Sequence, residues 1–111
     1  MNKRDKIILA KIVEEVSVIT RMLGEFDKTA FLADDVIMRA TCMTLINIGE
    51  LVKNLDNELR MAHTAIPWKG IAGLRDVAAH GYFTLSMDEI WVYASRDLPI
   101  YAEQIKEMLN N

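Results

Sequence analysis

Cysteine is nearly absent from this 111-residue chain: the single Cys42 excludes an intramolecular disulfide and points to a reducing compartment. It lies in an apolar stretch and reads as a small core residue rather than a reactive thiol. Positive charge is not in excess either. Thirteen Lys and Arg face sixteen Asp and Glu, giving a formal net charge of −3 and a pI near 5.3. The chain therefore does not coat nucleic acid by charge alone, and any RNA site must be a local basic patch. Long apolar runs are missing as well: near the N-terminus Lys11, Glu14 and Glu15 interrupt the sequence before a signal-peptide core or a membrane span can form. Together these absences describe a cytoplasmic protein.

Metal and phosphate motifs are also lacking. His63 and His80 stand far apart, no HExxH pair occurs, there is no second cysteine, and no carboxylate sits at ligand spacing. Neither zinc nor iron chemistry has a ligand set, and no metal or other cofactor is expected. His63 reads as an exposed residue at a helix end. Gly70-x-x-Gly73 is too short to be a phosphate loop. No segment alternates with the period of a strand.

What the chain has is apolar residues, 51% of the total, enough for one domain over residues 1–111 that buries about two-thirds of its unfolded surface. Their spacing predicts an all-α fold, an antiparallel bundle of four main helices. The first runs from about Lys3 to Leu23, with Leu9, Val13, Val16, Thr20 and Leu23 on one stripe, widened by Ile8, Ile12 and Ile19. Gly24 ends it, and Asp27 or Thr29 caps the next.

The second helix is long, about Ala30 to Arg60, with Leu45, Ile48, Val52, Leu55 and Leu59 in steps of 3 and 4. An offset set of Val36, Ala40, Met43 and Asn47 continues toward Glu50, a width suited either to internal packing or to a partner subunit. Gly49, which costs about 1 kcal/mol of helix propensity relative to Ala, predicts close approach of another backbone. After His63 and Pro67 comes a helix from Trp68, with Ile71, Leu74, Val77 and Ala78 as its apolar positions and Gly81 as its stop. A turn over residues 81–85 leads to Ser86-x-x-Glu89, a capping box that opens the last helix, whose apolar positions are Ile90, Trp91, Ala94, Leu98, Tyr101, Ile105 and Leu109. Pro99 predicts a kink or break near Leu98. The methionines read as core filling, and Trp68 and Trp91 as packing anchors.

Chemistry concentrates in residues 66–83, IPWKGIAGLRDVAAHGYF, where Arg75, Asp76, His80 and Tyr82 crowd a mostly apolar run. Asp76 and His80 are four apart, so the carboxylate can accept a hydrogen bond from the imidazole and fix its tautomer. Arg75 and His80 are five apart, about 140° around a regular helix, and converge only if the helix ends between them or a partner completes the site. His80 could transfer a proton, Arg75 could hold a phosphate with its bidentate fork, and Tyr82 could project toward the same space. Lys53, Arg60, Lys69 and Arg75 are candidates for the basic patch, or else charges on a solvated helix face.

Arg75, His80 and Tyr82 form an R-x4-H-x-Y motif that resembles the signature of the HepT family of HEPN-domain toxins. IPW at residues 66–68 and IGE at residues 48–50 also fit that family, so the similarity spans most of the chain. The resemblance implies a HEPN-like fold and a metal-independent ribonuclease acting on tRNA or mRNA as a homodimer. It further implies a type VII-like toxin–antitoxin pair, in which an MNT-type nucleotidyltransferase antitoxin silences the toxin by adding AMP to Tyr82. Asp76 departs from the pattern, since many members carry Asn there. A different class stays open beside this one: a catalytically silent HEPN-like helical subunit that binds a nucleotide or helps a nucleotidyltransferase hold its substrate.

Overall fold

The structure, a computed structural model, describes residues 1–84 and 87–110, with side chains described outside residues 80–84. Every element among the described residues is helical: α1 (Lys3–Leu23), α2 (Lys28–Leu32), α3 (Asp35–Lys53), α4 (Asn57–Ala62), α5 (Trp68–Thr84), α6 (Met87–Val92) and α7 (Leu98–Asn110), with a π-helical stretch over Tyr93–Asp97. No described helix is long and apolar enough to cross a membrane.

α1 falls on its expected bounds because both ends carry stop signals. The Asn2 side chain accepts the Asp5 N–H at 2.7 Å, and Gly24 follows the last turn. Its buried stripe is Ile8, Leu9, Ile12, Val16, Ile19 and Leu23. The isoleucines expected only to widen the stripe are thus its centre. Thr20 is a correction: it is exposed, and its hydroxyl donates to the Val16 carbonyl one turn back. Asp27 caps α2 by accepting the Ala30 N–H at 2.8 Å.

The single long helix expected from Ala30 to Arg60 is instead three. Asp34 takes extended backbone and accepts the Ile37 N–H at 3.0 Å, starting α3 afresh, while Asn54 closes it by donating its side-chain amide to the Glu50 carbonyl. Short polar side chains that satisfy backbone groups locally compete with helix continuation. The predicted core positions survive the breaks, since Leu45, Ile48, Val52, Leu55 and Leu59 are all buried. The offset face does not bury: Val36 is 74% and Met43 59% exposed.

α3 is the central element, packing most extensively on α5 and also on α1, which in turn meets α7. Cys42 lies in this core, and burial pushes its thiol pKa above the ordinary value, which lowers its thiolate fraction and its reactivity. The Trp91 ring packs on Phe31 with centroids 5.2 Å apart, and the buried Trp68 indole N–H donates to the His63 carbonyl at 3.0 Å. Both tryptophans are packing anchors. His63 is half-buried at the C-terminal end of α4 rather than exposed. The irregularity expected from Pro99 appears as the π-helical stretch that ends just before Leu98. A residue without an N–H cannot continue regular bonding to the preceding turn, and the wider turn accommodates its ring. Ser86 of the predicted capping box lies outside the described residues.

Candidate active site

α5 opens behind Pro67, whose carbonyl accepts the Ile71 N–H at 3.0 Å, and its inner stripe is Trp68, Ile71, Leu74 and Ala78, all buried. Val77, expected on that stripe, is 41% exposed. At roughly 100° per residue the step from Leu74 to Ala78 keeps position 78 inward and turns 77 out. The same register carries Arg75 and Asp76 to the surface, with side chains 45% and 68% exposed.

Gly49 determines how closely α3 approaches them. A Cβ built there would lie 2.9 Å from the Arg75 Cβ, 3.1 Å from the Ala72 carbonyl oxygen and 3.1 Å from the Arg75 nitrogen. The close backbone approach predicted from Gly49 is therefore present, and its partner is the motif arginine itself. This crossing places the next residue, Glu50, against Arg75: Glu50 Oε1 pairs with Arg75 Nε. Lys53 Nζ stands 3.9 Å from the same oxygen, and Arg75 Nη1 donates to Asp76 Oδ1 at 3.2 Å. The result is an alternating row of charges, Lys53, Glu50, Arg75 and Asp76. Exposed pairs of this kind contribute at most about 1 kcal/mol each, so an incoming phosphate can displace them. Nε and Nη1 are engaged, but a guanidinium carries five N–H donors in a planar fork.

Glu50 is the site residue that sequence reasoning did not assign. Its only signal was membership of the IGE segment, whose three residues have distinct duties: Ile48 is core, Gly49 makes the crossing, and Glu50 takes the arginine. The expected pairing of Asp76 with His80 rests on a side chain outside the described residues, as do the positions of the His80 and Tyr82 side chains. Their backbone is described, and it brings a correction. α5 does not stop at Gly81 but continues to Thr84, which also replaces the first part of the expected turn with helix. A helical glycine costs only about 1 kcal/mol relative to Ala, a penalty that the continuing helix absorbs at Gly81. Tyr82 is thus a position in the last turns of a helix, not one past its end.

The basic patch is divided. Lys53 and Arg75 share Glu50, whereas Arg60 and Lys69 line a separate groove between α4 and the start of α5. Among the described residues no group of three His, Cys, Asp or Glu is placed to hold a metal ion.

Because Asp76 leans on Arg75, its charge competes with phosphate for the same fork. Asp76→Asn should keep a hydrogen-bonding side chain and remove that competition, so RNA cleavage by the purified variant should persist or rise. Complete loss of cleavage would instead mean that the carboxylate itself is needed.

The all-helical architecture of the described residues is consistent with the HEPN fold. The chain belongs to the ribonuclease HepT-like family, which it matches over residues 12–108, and this makes it an enzyme of the RNase class. It is similar to a protein provisionally named an RNase from Caldanaerobacter subterraneus subsp. tengcongensis, 36% identical over 107 residues covering 96% of each chain. A second relative, provisionally named an RNase from Methanocaldococcus jannaschii, is 31% identical over 112 residues, covering 100% of this chain and 93% of its own. A third, from Thermococcus cleftensis and provisionally named ribonuclease HepT, is 31% identical over 99 residues, covering 89% of this chain and 90% of its own. No solved structure gives a significant match.

Proposed function

We propose that this chain is a metal-independent RNA endonuclease, the toxin of a type VII-like toxin–antitoxin pair, acting in the cytoplasm as a homodimer. The observation that carries the reading is the Arg75 guanidinium, half-exposed at the α3–α5 crossing in a member of a ribonuclease family. In the reaction the ribose 2′-oxygen attacks the adjacent phosphorus, the new P–O2′ bond forms and the P–O5′ bond breaks. The 2′-hydroxyl proton goes to a base and the departing 5′-oxygen receives one from an acid. The products are a 2′,3′-cyclic phosphate and a 5′-hydroxyl. Arg75 neutralises the charge that gathers on the phosphorane oxygens, and His80 handles protons.

Two considerations favour a site completed by a second copy. One motif histidine is too few for two proton transfers. The continuous α5 also sets positions 75 and 80 about 140° apart around its axis, which removes the alternative in which a helix end brings them together. Val36 and Met43 on α3 and Val77 on α5 are exposed apolar residues suited to such a contact.

Silencing by an MNT-type nucleotidyltransferase is assigned to AMP addition at Tyr82. Position 82 lies in the last turns of α5, where helices fray and a modifying enzyme finds access. The added phosphate would compete for Arg75, and the nucleotide would block the approach of RNA. Co-expression with such a partner, read by intact mass spectrometry, should show a gain in multiples of AMP that disappears in Tyr82→Phe. Silenced protein with unmodified Tyr82 would leave occlusion by binding as the mechanism.

The engagement of Arg75 by Glu50 and Asp76 also suits the second reading, a catalytically silent subunit that binds nucleotide or substrate for a nucleotidyltransferase. Incubation with tRNA and mRNA in EDTA decides between them. EDTA-resistant cutting supports the ribonuclease, and a folded dimer that cuts nothing supports the silent subunit.

A further inference from the structure

Two grooves of similar size flank the candidate site, and their charges differ. The one between α1 and α3, about 470 Å³, is lined by Glu14, Glu15 and Glu50 against Lys11, its one cation among the described residues. The other, about 530 Å³, lies between α4 and the start of α5 and presents Arg60 and Lys69, with Asn57 and Thr64 and, among the described residues, no carboxylate. In a chain of net charge −3 that asymmetry selects where a polyanion can lie.

Ala72 is among the residues that line the second groove, and its carbonyl borders the Gly49 crossing where Arg75 sits. Lys69 and Asp76, seven apart, lie about 20° apart around α5, so one face of the helix runs from the groove to the charge row. Gly70 and Gly73 keep this stretch low. A Cβ on Gly70 would meet only Pro67 Cβ at 3.9 Å and the Tyr93 hydroxyl at 4.0 Å, and a Cβ on Gly73 would meet nothing within 4 Å. A glycine inside a helix costs about 1 kcal/mol relative to Ala. Internal packing does not account for this at Gly73, whereas close approach of an external ligand does.

Resting on the ribonuclease reading above, we propose that the groove between α4 and α5, continued over Gly70 and Gly73 to Asp76, is the track of a single-stranded RNA backbone. Arg60 and Lys69 hold phosphates beside the one at Arg75. Lys69 and Arg75 are separated by a rise of about 9 Å along the axis and by about 120° around it, so a strand joining them spans more than one phosphate step and passes over Asp76, which lies on the Lys69 face. The volume of the groove is in the range of small-ligand sites, roughly 300–1,000 Å³, which suits a nucleotide unit rather than a duplex.

The test is fluorescence anisotropy of a short single-stranded RNA with 2′-O-methyl riboses, which the dimer can bind but not cut, titrated at several salt concentrations. Lys69→Glu should weaken binding roughly tenfold and flatten the slope of log affinity against log salt by roughly 0.7 to 1. Gly73→Leu should weaken binding by a similar factor with the thermal transition retained, since its side chain enters open space. Lys11→Glu, in the acidic groove, should bind as wild type. Equal affinity of Lys69→Glu or Gly73→Leu with wild type overturns the track, and so does an equal loss in Lys11→Glu, which would mean attraction by overall charge. Gly73→Leu that changes dimerisation while leaving RNA affinity intact overturns it too, by making this face a protein contact. Wild-type protein that binds this RNA through Lys69 but does not cut the unmethylated strand of the same sequence would leave the track standing and remove the ribonuclease reading. Wild-type cutting with unchanged variant affinities would do the reverse.

Discussion

Arg75→Ala should lower the rate of RNA cleavage by about 10² to 10³ and abolish growth arrest in cells, with the fold retained. The magnitude follows from its assigned role, because removing one preorganised group that stabilises transition-state charge typically costs that much. Retention of the fold follows from position. The side chain is half-exposed and its partners Glu50 and Asp76 are surface carboxylates, so losing the pairs costs at most about 1 kcal/mol each. Arg75→Lys should recover only part of the rate, because an ammonium keeps the charge and loses the bidentate fork. His80→Ala should fall by about 10² to 10⁴, the contribution of general acid–base catalysis. Full toxicity in either alanine variant, with expression and circular dichroism unchanged, would remove the assigned roles.

Gly49→Ala and Gly73→Ala should move stability in opposite directions, although both put the same methyl group into a helix. At Gly49 the new Cβ would stand 2.9 Å from Arg75 Cβ and 3.1 Å from two backbone atoms of α5, none of them the loose end of a side chain. α3 and α5 must therefore separate. Overpacking of this kind costs about 1–3 kcal/mol, and the gain in helix propensity of about 1 kcal/mol offsets only part of it. At Gly73 the Cβ meets nothing within 4 Å, so the propensity gain of up to about 1 kcal/mol stands alone. Urea denaturation of the two variants measures the difference. Because a Cβ on Gly49 would press on Arg75, Gly49→Ala should also lose activity beyond its loss of stability, whereas a Gly49→Ala protein as stable and active as wild type would mean that the α3–α5 crossing has room for a methyl group.

Periodicity made α1 and the buried set of α3 readable in advance, since both are amphipathic and the first is bounded by Asn2 and Gly24. The breaks at Asp34 and near Asn54 were hidden because the apolar spacing runs on through them. Only the side-chain hydrogen bonds of Asp34 and Asn54 show that local capping wins. Gly81 misled in the opposite sense, because a glycine weakens a helix without obliging it to end, and α5 runs on through it to Thr84. Arg75 and Asp76 were found from local spacing, but the partner of Arg75 was not. Glu50 sits on another helix, and nothing in spacing along one helix predicts a contact made across a crossing. The division of the basic residues was hidden for the same reason. Lys53 and Lys69 belong to different elements, and which carboxylates stand near each is a property of the packed molecule.

The central claim is that Arg75 and His80 direct attack by the ribose 2′-hydroxyl. Its most direct measurement is the chemistry of the ends left on RNA by the purified protein in EDTA. The account predicts 2′,3′-cyclic phosphate and 5′-hydroxyl ends, formed by wild type and suppressed in Arg75→Ala and His80→Ala, with no cleavage of a strand whose riboses are 2′-O-methylated. Products bearing 5′-phosphate and 3′-hydroxyl ends, or undiminished cleavage of the methylated strand, would contradict it.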